Sequence, residues 1–299
     1  MSGAEDGRKH PRNTLNDLTG REWLRFTKTW LIVDSRRYHR NRATELHPAR
    51  YPEELVGEFV RFFSRPGEWV LDPFAGSGAT LVAAQEAGRR AVGIELSGRY
   101  ATVAQERVAA TGGAWVKQAD ARRVADPAFW RDDPPADLPF DGAGLPIFDF
   151  VMTSPPYWDM LRQSRGGVES THKRRGKQGL DTAYSEAPED LGNTSDYPQF
   201  LAALCGILAD AGRLLRPERY LVVVAQNLRA PDGSITTLAW DIQRELGGTL
   251  RFQGERIWCQ NSKRLGIWGY PRLFVPNYHH HYCLIFRREP TGLPAPAGG

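Results

Sequence analysis

The run Thr153-Ser154-Pro155-Pro156-Tyr157-Trp158 has the composition of a rigid turn suited to a flat polar ligand. It follows an apolar segment, residues 148–152, that is typical of a buried strand. Each proline fixes φ and lacks a backbone N–H, so the turn offers carbonyl acceptors and few donors. Fixed acceptors beside the flat ring of Tyr157 suit a planar base with an exocyclic amino group. The structural alternative is a Pro-Pro turn that closes a strand and packs its aromatic residues.

A second motif, residues 69–80, has the pattern of a strand, a glycine-rich turn and the start of a helix. Gly76 and Gly78 let the backbone turn tightly and approach a ligand, and a helix start leaves N–H groups free. The next predicted strand carries Glu95. Its distance in sequence from Asp72 is close to the ~20 residues after which an acid in such folds binds ribose hydroxyls. Leu81 stands where a dinucleotide-binding loop has its third glycine, which argues against a nicotinamide cofactor.

Three segments together resemble a known family: Asp72-Pro73-Phe74-Ala75-Gly76-Ser77-Gly78, Gly93-Ile94-Glu95-Leu96 and Thr153-Ser154-Pro155-Pro156-Tyr157. They look like the motifs of the S-adenosylmethionine-dependent amino-methyltransferases of DNA, which methylate N4 of cytosine or N6 of adenine. Residues 47–55 resemble the helix that precedes the cofactor loop in that family. The resemblance implies S-adenosyl-L-methionine as cofactor and double-stranded DNA as partner, and it allows a cognate restriction endonuclease as a second partner.

The resemblance also implies a role for each motif. The cofactor would be bound by the glycine-rich loop and by acids that follow strands: Asp72, Pro73, Phe74, Ala75, Gly76, Gly78, Glu95 and Asp120. Ser154 Oγ and the Pro155 carbonyl would accept hydrogen bonds from the amino group of a flipped base, on a shelf completed by Pro156, and Tyr157 would stack on that base. Serine at position 154 favours N4 of cytosine over N6 of adenine. A helix cap is the alternative role for Asp120.

Other functions stay open beside this one. An RNA or protein methyltransferase of the same fold would share both motifs, although such enzymes usually carry Asn or Asp where Ser154 stands. A DNA-binding module on an inactive methyltransferase fold is a further alternative, but every motif residue is intact. A nicotinamide oxidoreductase is disfavoured by the missing third glycine.

The order of predicted elements indicates an α/β class: a Rossmann-like methyltransferase with a seven-stranded, mostly parallel sheet and a terminal antiparallel hairpin. The predicted strands are 68–72, 91–96, 115–119, 148–153, 219–225, 254–260 and 281–287. The predicted helices are 15–33, 52–63, 79–88, 97–110, 197–215 and 236–246. We expect a helical and basic extension over 1–45, the methyltransferase domain over 46–288 and a disordered tail over 289–299.

Two long segments, 159–193 and 260–281, are predicted to be recognition loops, because basic residues there alternate with aromatic ones. The expected DNA contacts are Lys173, Arg174, Arg175, Lys177, Lys263, Arg264 and Arg272. The histidines at 279–281 are not expected to bind metal, since consecutive strand residues point to opposite faces and no carboxylates lie near them in sequence.

The composition is compatible with a polyanionic partner. The chain of 299 residues has a formal net charge of +4 and is 41% hydrophobic, enough for a sizeable core. Three scattered cysteines fit neither a zinc site nor a disulfide framework. They are expected to pack as small apolar side chains in the reducing cytoplasm. No segment approaches the ~20 apolar residues of a membrane span.

Overall fold

The computed structural model describes residues 8–33, 51–158, 190–229, 233–263, 265–267 and 270–290. Its centre is an eight-stranded sheet with the strand order β1-β9-β10-β6-β5-β2-β3-β4. The strands of this sheet are β1 (Trp30–Ile32), β2 (Trp69–Asp72), β3 (Arg90–Glu95), β4 (Ala114–Gln118), β5 (Phe148–Thr153), β6 (Leu215–Ala225), β9 (Arg251–Cys259) and β10 (His280–Arg287). Two short strands, β7 (Leu228–Arg229) and β8 (Ile235–Thr236), pair separately.

Helices cover both faces of the sheet, as the alternating pattern predicts. In chain order they are α1 (Gly20–Phe26), α2 (Glu53–Phe63), α3 (Ala79–Glu86), α4 (Gly98–Ala109), α5 (Pro127–Arg131), α6 (Tyr197–Arg213) and α7 (Leu238–Leu246). The apolar sides of α2 and α3 form one core with one face of the sheet. The apolar sides of α6 and α7 form the second core on the other face.

The pairing of the strands confirms the predicted Rossmann-like class. Strands β6, β5, β2, β3 and β4 run parallel to one another. Strand β10 lies between β9 and β6 and is antiparallel to both, which is the predicted terminal hairpin. All seven predicted strands are present, and the sheet has one strand more than expected.

The additional strand is β1, and it corrects the helix predicted over residues 15–33. Helix α1 ends at Phe26, and Trp30–Ile32 then pairs in parallel with Ile257–Cys259 at the edge of the sheet. The apolar residues of α1 pack as a helix would require, because Phe26 stacks on Phe62 of α2 at 3.8 Å between ring centroids. The apolar pattern of this segment therefore serves two elements, a short helix and an edge strand.

The topology brings the two motifs of the sequence together. Strands β2 and β5 are neighbours, with Val70 opposite Phe150 and Leu71 opposite Val151. The glycine-rich turn follows β2 and the Pro-Pro-Tyr turn follows β5, so both lie at the carboxyl edge of the sheet, where α/β folds bind ligands. Within the described ranges, no helix combines the length and apolar character needed to cross a membrane.

Candidate active site

The glycine-rich turn after β2 is closely packed against its neighbours. Gly78 caps the start of α3 with φ +82°, and a Cβ built there would lie 3.0 Å from the Ala104 Cβ. Gly93 on β3 faces the same turn, and a Cβ there would lie 2.7 Å from the Ala75 Cβ. A side chain at either position would displace the loop, so these glycines fix its path.

Asp72 is the buried hub of this region. Its Oδ1 accepts from the Phe74 N–H at 3.0 Å and from the Thr153 hydroxyl at 2.6 Å, and its Oδ2 accepts from the Tyr51 hydroxyl at 3.1 Å and from the Thr80 hydroxyl. Burial raises the pKa of Asp72, and the donated hydrogen bonds oppose that rise. The carboxylate thus ties the ends of β2 and β5 to α3 and stays inside the protein.

A cleft opens beside this hub between the ends of β2, β3, β4 and β5. Seven of the predicted site residues line it: Pro73, Phe74, Gly76, Glu95, Asp120, Ser154 and Pro156. Apolar walls come from Leu96, Tyr100, Leu191 and Ile207. Carboxylates beside apolar walls suit a ligand that joins a hydroxylated sugar to a flat ring system. The other five predicted site residues do not line the cleft: Asp72, Ala75, Gly78, Pro155 and Tyr157.

Glu95 holds the glycine-rich turn to the end of β3. One carboxylate oxygen accepts from the Gly76 N–H and the other from the Ser97 N–H, both at 2.8 Å. Burial raises the pKa of Glu95 to about 7, although the two backbone donors favour the charged form. The residue therefore combines a structural contact with a position on the wall of the cleft.

Asp120, at the end of β4, adopts the capping role that was its alternative in the sequence. Its side chain accepts from the Arg122 N–H at 2.9 Å at the start of the short 3-10 helix Ala121–Arg123. It also forms an ion pair with the Arg122 guanidinium at 3.2 Å. Asp120 also lines the cleft, so the same side chain can cap the 3-10 helix and face a bound ligand.

The Pro-Pro-Tyr turn after β5 has an inward-facing tyrosine. The Tyr157 hydroxyl lies 3.2 Å from Ser154 Oγ and donates to the Val224 carbonyl at 3.4 Å. Its ring is only 4% exposed, and burial raises its pKa. The open flat face expected from the sequence is therefore covered in this structure, whereas Ser154 is half-buried at the cleft.

The sequence analysis missed an aromatic layer behind Tyr157. His281 of β10 stacks on Trp258 of β9 at 4.6 Å between ring centroids, and its ring lies 6.2 Å from that of Tyr157. His281 Nδ1 is buried without a hydrogen-bond partner among the described residues, and burial lowers the pKa of His281 to about 3. The alternation of β10, which turns His280 to the other face beside Tyr282, is the signal that could have identified it.

The predicted DNA contacts are only partly within the described residues. Lys263 and Arg272 are exposed on the segment between β9 and β10. Lys173, Arg174, Arg175, Lys177 and Arg264 lie outside the described residues, as do positions 47–50 of the segment that resembles the family helix. The described residues contain no group of three or more His, Cys, Asp or Glu side chains arranged to hold a metal ion.

The comparison with known proteins identifies a family model and several related sequences. Residues 6–106 match the DNA methylase family model. The Type II methyltransferase M.SmaI of Serratia marcescens is 50% identical over 62 residues, which are 21% of this chain and 21% of that protein. The Type II methyltransferase M.MthZI of Methanothermobacter thermautotrophicus is 38% identical over 86 residues, 28% of this chain and 24% of that protein. These alignments span about a quarter of each relative's length.

Among solved structures, TrmN from Thermus thermophilus resembles the chain with a TM-score of 0.45 and 16% sequence identity, over 79% of this chain and 48% of that one. At this level of similarity, the comparison supports no conclusion beyond those drawn from the order of the strands. The family match, in contrast, confirms the resemblance that the motifs predicted. The matched residues include two of the three motifs, the glycine-rich turn and the segment that carries Glu95, and over them the chain is similar to the DNA methylase family.

Proposed function

We propose that this chain methylates the exocyclic amino group of a base in double-stranded DNA, using S-adenosylmethionine as methyl donor. The observation that carries the proposal is the adjacency of two motifs. The glycine-rich turn and Ser154 line one cleft because β2 and β5 pair directly. The turn lies inside the region that matches the DNA methylase family, and Ser154 lies outside it.

The cofactor is proposed to bind along the ends of β2, β3 and β4. Glu95 would accept from ribose hydroxyls, Phe74 and Gly76 would border the methionine moiety, and Asp120 would accept from the adenine amino group. When bound, S-adenosylmethionine supplies a methyl group activated by a sulfonium. Asp72 would act by holding the loop, since its oxygens already accept from four protein donors.

The target base is proposed to bind at the Pro-Pro-Tyr turn. The lone pair of an aromatic amine is delocalised into its ring, so two acceptors on its N–H groups would localise that pair towards the methyl group. Ser154 Oγ and the Pro155 carbonyl are the proposed acceptors, and this is catalysis by positioning and electrostatics. On transfer of the methyl group the amine would lose one proton to solvent, while Ser154 Oγ and the Pro155 carbonyl would hold its N–H groups.

Tyr157 is proposed to stack on the flipped base. Because its ring is 4% exposed, stacking requires the ring to turn outwards and give up its contacts with Ser154 Oγ and the Val224 carbonyl. Those contacts, at 3.2 and 3.4 Å, are long for hydroxyl hydrogen bonds. Stacking on the base, worth roughly 1–3 kcal/mol, would offset the loss of these contacts and the exposure of the buried ring.

N4 of cytosine is the proposed target atom, with N6 of adenine as the alternative. The support is Ser154: a neutral hydroxyl can accept from the amine and donate to a neighbouring acceptor. The amine of cytosine adjoins ring N3, so one hydroxyl can serve both positions. Adenine offers a similar edge at N1, and the identity of the product is therefore the decisive observation.

Expression in a host without DNA methylation tests this proposal. Mapping of modified bases across the host genome should reveal N4-methylcytosine at one short sequence, and the Ser154→Ala variant should leave the same sites unmodified. Leu24→Ala, at an exposed position on α1, serves as the variant control for expression. N6-methyladenine alone would reverse the choice of base, and an unmodified genome would contradict DNA methylation altogether.

A further inference from the structure

The segment between β9 and β10 is held firmly at its base. The Gln260 N–H donates to the His279 carbonyl at 2.7 Å where the two strands separate. Further out, the Asn277 side chain binds both backbone groups of Gly266, accepting from its N–H at 2.9 Å and donating to its carbonyl at 3.0 Å. These hydrogen bonds form a stem at the base of the loop.

Beyond this stem the loop exposes large apolar side chains. We call the following five residues the apolar tip: Leu265 (77% exposed), Ile267 (86%), Tyr270 (82%), Leu273 (70%) and Phe274 (91%). Apolar surface in water is unfavourable by about 25 cal/mol per Å². Five such residues on one loop indicate an interaction surface, whereas a single exposed apolar residue does not.

The apolar tip is anchored beside the proposed transfer site. The loop leads directly into β10, and the ring of His281 in that strand lies 6.2 Å from the ring of Tyr157. In the sheet, β10 is separated from β5 by β6 alone. With neighbouring strands about 4.8 Å apart, the stem stands roughly 10 Å from the end of β5.

The charges on the same loop favour an anionic partner. Lys263 precedes the apolar tip in the sequence, Arg272 lies between Tyr270 and Leu273, and both side chains are exposed. The whole chain has a formal net charge of +4. A second copy of this chain would bring the same positive charges against them. Duplex DNA combines phosphates for the cations with apolar base faces for the tip.

We propose that the apolar tip enters the base stack of DNA and fills the gap left by the flipped target base, with Phe274 as the leading side chain. This inference rests on the proposed function. Flipping breaks the stacking and pairing of the target base, and an apolar side chain in the gap restores contact to the neighbouring bases. The tip would stabilise the open duplex, while Lys263 and Arg272 hold the phosphates nearby.

The test compares methylation of two duplexes that contain the mapped target sequence. One is fully paired, and the other has an abasic site opposite the target base, so that the target has no pairing partner. Phe274→Ala should slow methylation of the paired duplex at least about tenfold, the loss expected for one stacked ring, and Ile267→Ala should also slow it. On the abasic duplex both variants should come within about threefold of the unaltered protein, because less free energy is needed to flip the base.

Two control variants distinguish the role of the apolar tip from the loss of any exposed apolar side chain and from the loss of a phosphate contact. Leu24→Ala removes an equally exposed apolar side chain, 72% exposed on α1, and should behave as the unaltered protein on both duplexes. Arg272→Ala should lose activity on both duplexes alike, because phosphate contacts do not depend on base pairing.

Equal losses of activity for Phe274→Ala on both duplexes, or no loss on either, would overturn this inference while leaving the proposed function intact. So would sedimentation showing that the unaltered protein is a dimer and Phe274→Ala a monomer, since the tip would then bind a second copy. Failure of the unaltered protein to methylate any DNA would overturn the proposed function, and this inference with it.

Discussion

The contacts of Asp72 show how a motif residue can serve a site without facing it. Its carboxylate is 1% exposed and accepts from two backbone or hydroxyl donors on each oxygen. The sequence motif places an acid at this position but does not show which way its side chain points. The direction depends on Tyr51 and Thr153, which come from distant parts of the chain and could not be inferred from the loop itself.

Thr153→Val should destabilise the fold, because it removes the 2.6 Å hydrogen bond to the buried Asp72 carboxylate while keeping the side-chain shape. We expect a loss of about 1–3 kcal/mol in the free energy of unfolding, measured by urea denaturation. Thr102→Val is the control, since its hydroxyl is exposed and bonds within α4. Equal stabilities for the two variants would contradict the hub described for Asp72.

Glu95 predicts how the stability of the cofactor-free protein depends on pH. Burial raises its pKa from 4.5 to about 7, so between these values the folded state keeps a proton that the unfolded state releases. Stability from this group is therefore complete below about pH 4.5 and is lost as the pH rises through 7, by about 3 kcal/mol in total. Unfolding measured across pH 5–8 should show this slope, and Glu95→Gln should reduce it; an unchanged slope would refute the assignment.

At the scale of elements, sequence periodicity located the strands and helices that build the site to within a few residues. It failed at β1, where three residues form an edge strand shortly after α1. The partner of β1 is Ile257–Cys259, more than two hundred positions away, and local periodicity carries no information about such pairing. Edge strands of this length are recognisable only from the sheet that they join.

The loop between β9 and β10 gives a prediction about DNA affinity. Replacing Lys263 and Arg272 with Ala should weaken DNA binding and lower the slope of log affinity against log salt by about 1 for each phosphate that the protein no longer neutralises. The double variant is compared with Arg213→Ala, which removes an exposed arginine just before β6, at the opposite edge of the sheet. An identical salt slope in all three proteins would exclude phosphate binding by this loop.

At the scale of the whole molecule, the family match and the proposed catalytic turn lie in different parts of the chain. The matched region ends at residue 106, and Ser154 comes later. The sheet connects them, because β5 inserts beside β2 and sets Ser154 on the cleft that the matched loop borders. The sequence could suggest that the two motifs belong together, but only the order of strands gives the reason.

Methyl transfer by the purified protein tests this account most directly. Duplex DNA is incubated with S-adenosylmethionine carrying a labelled methyl group, digested to nucleosides and analysed by mass spectrometry. We predict the label in N4-methylcytosine, with transfer largely abolished in Ser154→Ala although that variant still binds the cofactor. Label in 5-methylcytosine or in no nucleoside would contradict amine methylation of DNA at the Ser154 turn.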